Sequence, residues 1–367
     1  MVNIGIDARL THYRVGGIST YTTALIEALK ALDSPHNFTV FNSRKAQISK
    51  NPLNKEIGLW TPPHHRIERI ALSLELMRFG LDVFHATDFI PPYFGAKRHI
   101  ITVHDLTFLH YPQHKDRAAQ RYYNDQIEYA VKHADHILAV SSATKTDLIT
   151  MLNVPESKIT VQHHGVDSRF KPLSSEIVEE TCYRLSIPVG SILHVGTLEP
   201  RKNIPSLLSA YQQLPNELQQ KHALVLIGKI GWLFDDTMAQ IMVLQENGAN
   251  IILRDTVSDD DLSAVYNSAT VFVIPSMYEG FGLPALEAMA CGTPVIVGNN
   301  SSLPEVVGDV GLLFDASNVD DLCATLEFAL KNENWRTQTS KQGIERAATF
   351  TWARSAEIAL SVYTALS

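Results

Sequence analysis

The densest chemistry in this sequence lies in the run Glu279-Gly280-Phe281-Gly282-Leu283-Pro284-Ala285-Leu286-Glu287. Pro284 suits the first turn of a helix and Gly292 its end, which predicts a helix over about 283–291. Glu279 then lies in the loop ahead of that helix, and Glu287 about one turn inside it. Gly280 and Gly282 expose backbone N–H groups between the two acids. Carboxylates accept hydrogen bonds from hydroxyls, and N–H groups hold phosphate or a sugar oxygen, so the set suits a sugar nucleotide. The competing reading makes Glu287 a surface residue of the helix and Glu279 a charge near its start.

A second run, Gly196-Thr197-Leu198-Glu199-Pro200-Arg201-Lys202-Asn203, follows a strand pattern ending at Val195. Arg201 and Lys202 stand just before a helical pattern with Leu207, Leu208 and Tyr211 on one face. Cations are unfavourable at the positive end of a helix, so a compensating anion is expected, and a diphosphate fits two adjacent cations. Salt bridges to neighbouring acids are the alternative. A weaker signal is Arg14-Val15-Gly16-Gly17-Ile18-Ser19-Thr20 after the first strand. Gly16 and Gly17 would let a ligand approach the backbone, although the full Gly-x-Gly-x-x-Gly spacing is missing. A plain tight turn with Ser19 or Thr20 as N-cap explains the same residues. His104, with Asp105 beside it, follows the strand pattern His99–Val103; by residue type alone a lone histidine there is structural more often than functional.

The elements that must position these loops alternate. Asn3–Ile6, Asn37–Phe41, Val83–Ala86, His99–Val103, Ile137–Val140 and Ile159–Gln162 read as strands. After a pause near Gly165 and Pro172 the pattern resumes at Ser191–Val195, Leu224–Ile227, Ile251–Leu253, Val271–Ile274 and Pro294–Val297. Amphipathic runs separate them, such as Tyr21, Leu25, Ala28, Leu29 and Leu32 on one face. Two βα series predict two parallel sheets covered by helices, hence two Rossmann-like α/β domains. Ligands bind such folds beyond the carboxyl ends of the strands, which makes an interdomain cleft the expected site.

Composition narrows the class. The chain has 367 residues, 45% hydrophobic and 19% charged, an ordinary globular balance for two domains. Its net charge of −8 argues against nucleic-acid binding. Residues 1–170 hold 19 Lys+Arg against 16 Asp+Glu, and the remainder 12 against 23. No apolar run approaches the ~20 residues of a membrane span, and the start of the chain reads as a strand, not a signal peptide. Three scattered cysteines form neither a disulfide framework nor a metal pair, consistent with a reducing cytosol. No metal site is expected. Asp259-Asp260-Asp261 follows Ser258 and reads as the acidic first turn of a helix, and His64-His65 and His163-His164 lack a second ligand cluster. Arg66–Phe79 places Ile67, Ile70, Ala71, Leu74 and Met77 on one face, with Arg66, Arg69 and Arg78 nearby. Core packing is the expected use of that face, and a membrane-surface helix the alternative.

These motifs together resemble glycosyltransferase family 4, retaining enzymes of the two-domain GT-B fold. Glu279 and Glu287 match its E-x7-E element. Gly196-Thr197 with Arg201-Lys202-Asn203 resembles its diphosphate loop, Gly16-Gly17 its N-terminal glycine loop, and Gly165-Val166-Asp167 the element closing its first domain. Val103-His104-Asp105-Leu106 and Leu198-Glu199-Pro200-Arg201 are most similar to bacterial mannosyltransferases of polysaccharide assembly. The resemblance implies an acceptor-binding domain over 1–170, joined by a C-terminal helix (351–367) that crosses back to it. It implies a nucleotide-sugar domain over 171–350, the two facing across a cleft. Arg201 and Lys202 would hold the donor diphosphate with Gly196, Gly16 and Gly17. Glu287 would bind the ribose, Glu279 with the N–H groups around Gly280, Phe281, Gly282 and Leu283 the sugar, and His104 would sit at the reacting face. No cofactor is implied beyond the donor, GDP-mannose or another nucleoside diphosphate sugar. The partners implied are that donor, a glycan or lipid-linked acceptor and a peripheral membrane contact through the first domain, in the cytoplasm. Front-face transfer is expected because no carboxylate nucleophile stands out. A UDP-sugar transferase, a sugar-nucleotide epimerase and a non-catalytic sugar-nucleotide binder are the alternatives.

Overall fold

A computed structural model describes residues 1–13, 16–46, 55–114 and 117–367. The chain divides into two compact units, Met1–Gly165 with Thr351–Ser367, and Val166–Phe350. The division falls at Gly165–Val166, a few residues ahead of position 170.

The first unit contains β1 (Asn3–Asp7), β2 (Asn37–Ser43), β3 (Lys55–Leu59), β4 (Leu81–Ala86), β5 (Ala96–Val103), β6 (His136–Ala139) and β7 (Ile159–Val161). They form one sheet in the order β3-β2-β1-β4-β5-β6-β7, with every pair parallel. The strands are apolar because helices cover both faces, as Ile4, Ile6, Val83, Phe84, Ile100 and Ile101 show by being fully buried. The helix Trp352–Ala365 packs on the helix Gly17–Ala31 in this unit, burying Ala356, Ala359 and Tyr363.

A file of buried polar groups ties that returning helix to the sheet. Tyr363 Oη lies 2.7 Å from His85 Nδ1, and His85 Nε2 lies 2.7 Å from Thr102 Oγ1. Thr102 meets the Tyr21 hydroxyl at 2.9 Å, Tyr21 donates to Gln162 Oε1 at 2.8 Å, and Gln162 donates to the Ser355 carbonyl. One proton order satisfies every member: Tyr363 donates to a neutral His85, which donates to Thr102, which donates to Tyr21. Burial supports that neutral ring by pushing the His85 pKa down to about 3.

The second unit contains β8 (Ile192–Val195), β9 (Leu224–Ile227), β10 (Ile251–Arg254), β11 (Val271–Ile274), β12 (Val295–Gly298) and β13 (Leu312–Phe314). Their order is β10-β9-β8-β11-β12-β13, again all parallel. In both sheets the order reverses beside the first strand of the series, at β1/β4 and at β8/β11. Loops leaving neighbouring strands at such a point diverge to opposite faces and leave a crevice between them.

Three local expectations are corrected. The helix after β1 begins at Gly17 with Gly16 as its N-cap, so neither Ser19 nor Thr20 caps it. Gly16 has φ of 149°, a backbone region that side chains rarely enter; Arg14 and Val15 lie outside the described residues. Strands β3 and β13 went unforeseen. Both are edge strands, short and only partly buried, so they carry little apolar signal. Most telling, the helix Glu68–Leu76 buries Glu68, Arg69, Leu72, Ser73 and Leu76, and leaves Ile67, Ile70, Leu74 and Met77 exposed. Ala71 is half-buried. Core packing therefore takes the other face, because Glu68 completes the buried Arg9 cluster described next.

Candidate active site

In the second unit, the loop after β8 and the loop after β11 leave adjacent strands at the switch point. This places Arg201 and Lys202 against Glu279 although 77 residues separate Lys202 from it. Pro200–Lys202 forms a tight 3-10 turn, and Asn203, in the left-handed region, separates it from the helix Ile204–Gln213. Lys202 Nζ donates to Glu279 Oε1 at 2.6 Å, and Arg201 Nη1 to Glu279 Oε2 at 2.8 Å. Arg201 also pairs with Glu199 and donates to the Tyr278 carbonyl. Ser276 Oγ adds a third donor to Glu279 at 2.6 Å, and Ser301 Oγ accepts the Glu279 backbone N–H.

Glu199, Lys202 and Glu279 are each buried. Burial alone would raise the Glu279 pKa, but Arg201, Lys202 and Ser276 together hold it well below the ordinary carboxylate range. Burial lowers the Lys202 pKa, with Arg201 beside it adding to the effect. Two cations and two carboxylates thus stand fixed and mutually paired in a low-dielectric pocket. The structure shows the salt bridges to neighbouring acids that the sequence left as the alternative to an anion receptor.

The Gly-rich run takes the expected form. Gly282, with φ of 103°, caps the helix Leu283–Ala290 and Pro284 lies in its first turn. Ser302 Oγ donates to the carbonyls of Glu279 and Phe281 and so pins the loop holding Gly280. Glu287 lies inside the helix and half-buried, and accepts a hydrogen bond from Tyr266 at 2.8 Å. Burial raises its pKa to about 7, against the Tyr266 hydrogen bond and with Asp259 and Asp167 adding to the rise. Asp259 opens the helix Asp259–Ser268, whose N-cap Ser258 accepts from the Asp261 N–H, as its acidic first turn requires.

His194 escaped the sequence reading. It is fully buried on β8, two residues before Gly196. Its Nδ1 donates to the Val273 carbonyl at 2.9 Å, leaving a lone pair on Nε2 that has no partner among the described residues. A Cβ on Gly196 would lie 3.5 Å from Lys202 Nζ and 3.7 Å from His194 Nε2. Burial brings the His194 pKa down to about 4, so the ring is a neutral acceptor beside the loop.

In the first unit, His104 follows β5. Its Nε2 donates to the Thr87 carbonyl at 2.8 Å, and burial lowers its pKa despite Asp88 nearby. The neutral ring then carries its lone pair on Nδ1 and stacks edge-on against Tyr21. Asp105 caps the turn that follows by accepting the Thr107 N–H. Beside this lies a network that no motif announced. Fully buried Arg9 pairs with Asp7 and Glu68, both at 2.7 Å. Glu68 accepts the His64 N–H, and His64 Nε2 meets Asp88 at 2.8 Å. Gly16 and Gly17 lie after β1 of this unit, with nothing among the described residues within 4 Å of where a side chain would stand. Among the described residues no group of three or more His, Cys, Asp or Glu side chains is placed to hold a metal.

Comparison with known proteins accords with this geometry. The family described as "Glycosyl transferases group 1" matches residues 190–346, and "Glycosyltransferase Family 4" matches residues 15–170. The O-antigen chain mannosyltransferase B of Escherichia coli is 34% identical over 282 residues, 77% of this chain and 74% of that protein. The serotype-specific mannosyltransferase WbdA of E. coli is 34% identical over 67% of this chain, which spans only 30% of WbdA. The structure of sucrose-phosphate synthase from Thermosynechococcus elongatus superposes with a TM-score of 0.79 at 22% identity, covering 100% of this chain and 99% of that one. The paired Rossmann-like sheets, the E-x7-E loop at the second switch point and the two matching halves lead to one assignment: the chain belongs to glycosyltransferase family 4 and has the GT-B fold.

Proposed function

We propose that this enzyme moves mannose from GDP-mannose, with retention at the anomeric carbon, to a hydroxyl of a glycan or lipid-linked acceptor in cell-surface polysaccharide assembly. It would act in the cytoplasm, in peripheral contact with the inner face of the membrane. The observation that carries the reading is the buried Glu279, gripped by Arg201, Lys202 and Ser276 at the β8/β11 switch point. The choice of mannose is supported by the mannosyltransferase relatives at 34% identity. The second unit would bind the nucleotide sugar and the first the acceptor.

In this mechanism the bond from the anomeric carbon to the diphosphate breaks, and its electron pair stays on the diphosphate oxygen. Arg201 and Lys202 offset the charge that grows there, an electrostatic contribution made by groups already in place. The N–H groups of Gly282 and Leu283 complete the cradle, and Gly196, whose own N–H is held by the Ile227 carbonyl, has no side chain to keep a phosphate from Lys202, with Gly16 and Gly17 as the first unit's phosphate-facing loop. Glu287 takes the ribose hydroxyls. The acceptor oxygen attacks from the same face and its proton passes to the departing diphosphate. Glu279 suits sugar-hydroxyl binding better than nucleophilic attack, since three donors already occupy its oxygens and depress its basicity. His104 offers Nδ1 as an acceptor for a hydroxyl of the transferred sugar. No cofactor or divalent ion is required, because the paired cations supply the positive charge.

The test is nucleoside diphosphate release from a panel of donors, with and without glycan acceptors and with chelator present. GDP-mannose is expected to exceed UDP-glucose and UDP-N-acetylglucosamine, up to ~10⁴-fold where buried polar groups would be left unpaired. Acceptor should stimulate release, and chelator should not abolish it. A UDP-sugar at the head of the panel would end the mannosyl reading. Conversion without acceptor would favour an epimerase, and binding without release a non-catalytic binder.

A further inference from the structure

Glu279 and Glu287 share a motif but stand in opposite electrostatic surroundings. Glu279 accepts from Arg201, Lys202 and Ser276. Glu287, half-buried on the second turn of the helix Leu283–Ala290, has one hydrogen-bond donor among the described residues, the Tyr266 hydroxyl at 2.8 Å from Oε2. The charges around it come from the segment that opens the second unit and from the helix Asp259–Ser268. Asp167 and Asp259 disfavour its carboxylate form, and Arg169 favours it. Arg169 is already shared, however, by Asp167 at 3.1 Å and Asp259 at 3.5 Å. Cys291, one turn further along the same helix, is a neutral thiol whose pKa burial pushes up to about 12. The other two helices packed on Leu283–Ala290 meet it without charge: Glu333–Ala347 sets Gly343 against Met289, and Leu303–Val307 sets Leu303 against Gly282. Two acids and one cation leave the surroundings net negative, so the Tyr266 hydroxyl is the principal support of the carboxylate.

Tyr266 is held rigidly for that task. It is fully buried, in T-shaped contact with Phe170 and Phe272 at centroid distances of 5.7 and 5.4 Å. Its carbonyl accepts Thr293 Oγ1 at 2.6 Å, which fixes the backbone as well as the ring. Burial, with Glu287 beside it, raises its pKa well above the ordinary phenol value, so the hydroxyl remains a donor throughout the neutral range. Its donation to Oε2 leaves Oε1 of Glu287 without a donor among the described residues.

We propose that Tyr266 is the positioning residue of the ribose subsite: its hydroxyl occupies Oε2 of Glu287 and leaves Oε1 to accept the ribose hydroxyls of a nucleoside diphosphate. The proposal rests on the reading of Glu287 as the ribose ligand, and adds the group that prepares it for that role. A pH dependence follows. With a pKa of about 7, Glu287 is divided between acid and carboxylate at neutral pH. Ribose hydroxyls donating to Oε1 favour the carboxylate, so binding draws a proton from Glu287, and affinity rises as pH climbs through about 7. Tyr266→Phe removes a donor to the carboxylate, raises the Glu287 pKa further and moves that rise to higher pH.

The test is calorimetric titration of the full chain with GDP, UDP and their 2′,3′-dideoxy analogues from about pH 6 to pH 9, in buffers of differing ionisation enthalpy. The analogues carry the same ionisable diphosphate and lack only the ribose hydroxyls. In the wild type, the diphosphate that binds should release more protons near pH 7 than its analogue, and gain more affinity as pH rises. Tyr266→Phe should move that gain up by roughly one pH unit, a loss of about fivefold in affinity near pH 7 that is largely recovered by pH 9. Glu287→Gln should abolish the difference between nucleotide and analogue, and with it the effect of Tyr266→Phe. Thermal unfolding is run alongside on each variant, and the proton release of the wild type needs no variant at all. A Tyr266→Phe loss that is equal at every pH marks a structural role only and overturns the proposal. So does a wild type in which nucleotide and analogue follow the same pH course; either result leaves the transferase reading standing. Failure of both GDP and UDP to bind would remove that reading and the proposal together.

Discussion

Lys202 and Arg201 answer a question that sequence alone leaves open, whether adjacent cations before a helix await an anion or merely pair with local acids. Both have carboxylate partners in the structure, so the two roles separate by measurement. If the pairs only brace the loop, Arg201→Ala and Lys202→Ala will lower stability and leave nucleoside diphosphate affinity unchanged. If they receive the diphosphate, each will also weaken its binding by roughly 10–150-fold, since a hydrogen bond to a charged group is worth ~1.5–3 kcal/mol. Calorimetry with the free diphosphate, beside thermal unfolding, is expected to show the second pattern. Glu279 was legible because its distance to Glu287 and the intervening glycines form a local pattern. His194 and the Asp7–Arg9–Glu68 cluster were not, because their partners arrive from distant elements: Arg9 and Glu68 lie 59 residues apart. Nothing in a one-dimensional spacing marks such a pair.

At the scale of elements, periodicity shows which side of a helix is apolar but not which side is buried. The stripe from Ile67 to Met77 is the case in point: its spacing was read correctly and its direction was not. Glu68 and Arg69 decided the direction, since burying a charge is tolerable only where partners stand ready, and Arg9 and Gln126 do. The strands were easier, because parallel β-strands covered on both sides are continuously apolar, and only the thin edges β3 and β13 were lost. The join between β8 and β9 rests on one residue. Gly228 has φ of 152°, and a Cβ there would lie 1.9 Å from the Gly196 carbonyl. Gly228→Ala should therefore cost ~2–5 kcal/mol, combining backbone strain with overpacking. It should also displace the Gly196 loop, so nucleotide affinity is expected to fall with stability in denaturant titrations and calorimetry. Unchanged values for both would mean that the β9 loop yields freely.

Across the whole molecule, buried neutral histidines lower stability in acid, against the opposite contribution of Glu287, whose pKa burial raises to about 7. His85, His164 and His194 have pKa values pushed below the ordinary 6.5, in each case chiefly by burial. The unfolded chain binds protons at these sites as pH falls through 6.5, while the folded chain resists until far lower. Stability from these groups is therefore complete above about pH 6.5 and declines as pH drops from there toward 4 and below. Denaturant unfolding at stepped pH should show this decline. His85→Gln, which keeps a polar side chain in the Tyr363–Thr102 file, should flatten part of it. A profile level from pH 7 down to 4.5 would contradict it.

The helix Trp352–Ala365 has a further consequence, in the time order of synthesis. It belongs to the first unit yet is encoded after all of Val166–Phe350. A ribosome that has finished residue 165 has delivered every strand of the first sheet but not the helix that covers Tyr21, Val83 and His85. The second unit is continuous in sequence, so it can close as soon as it emerges. At ~5–20 residues per second, the first unit waits several seconds or more with an apolar face open. A released chain that ends at residue 350 should thus recruit chaperones through the domain made first, while the domain made second folds.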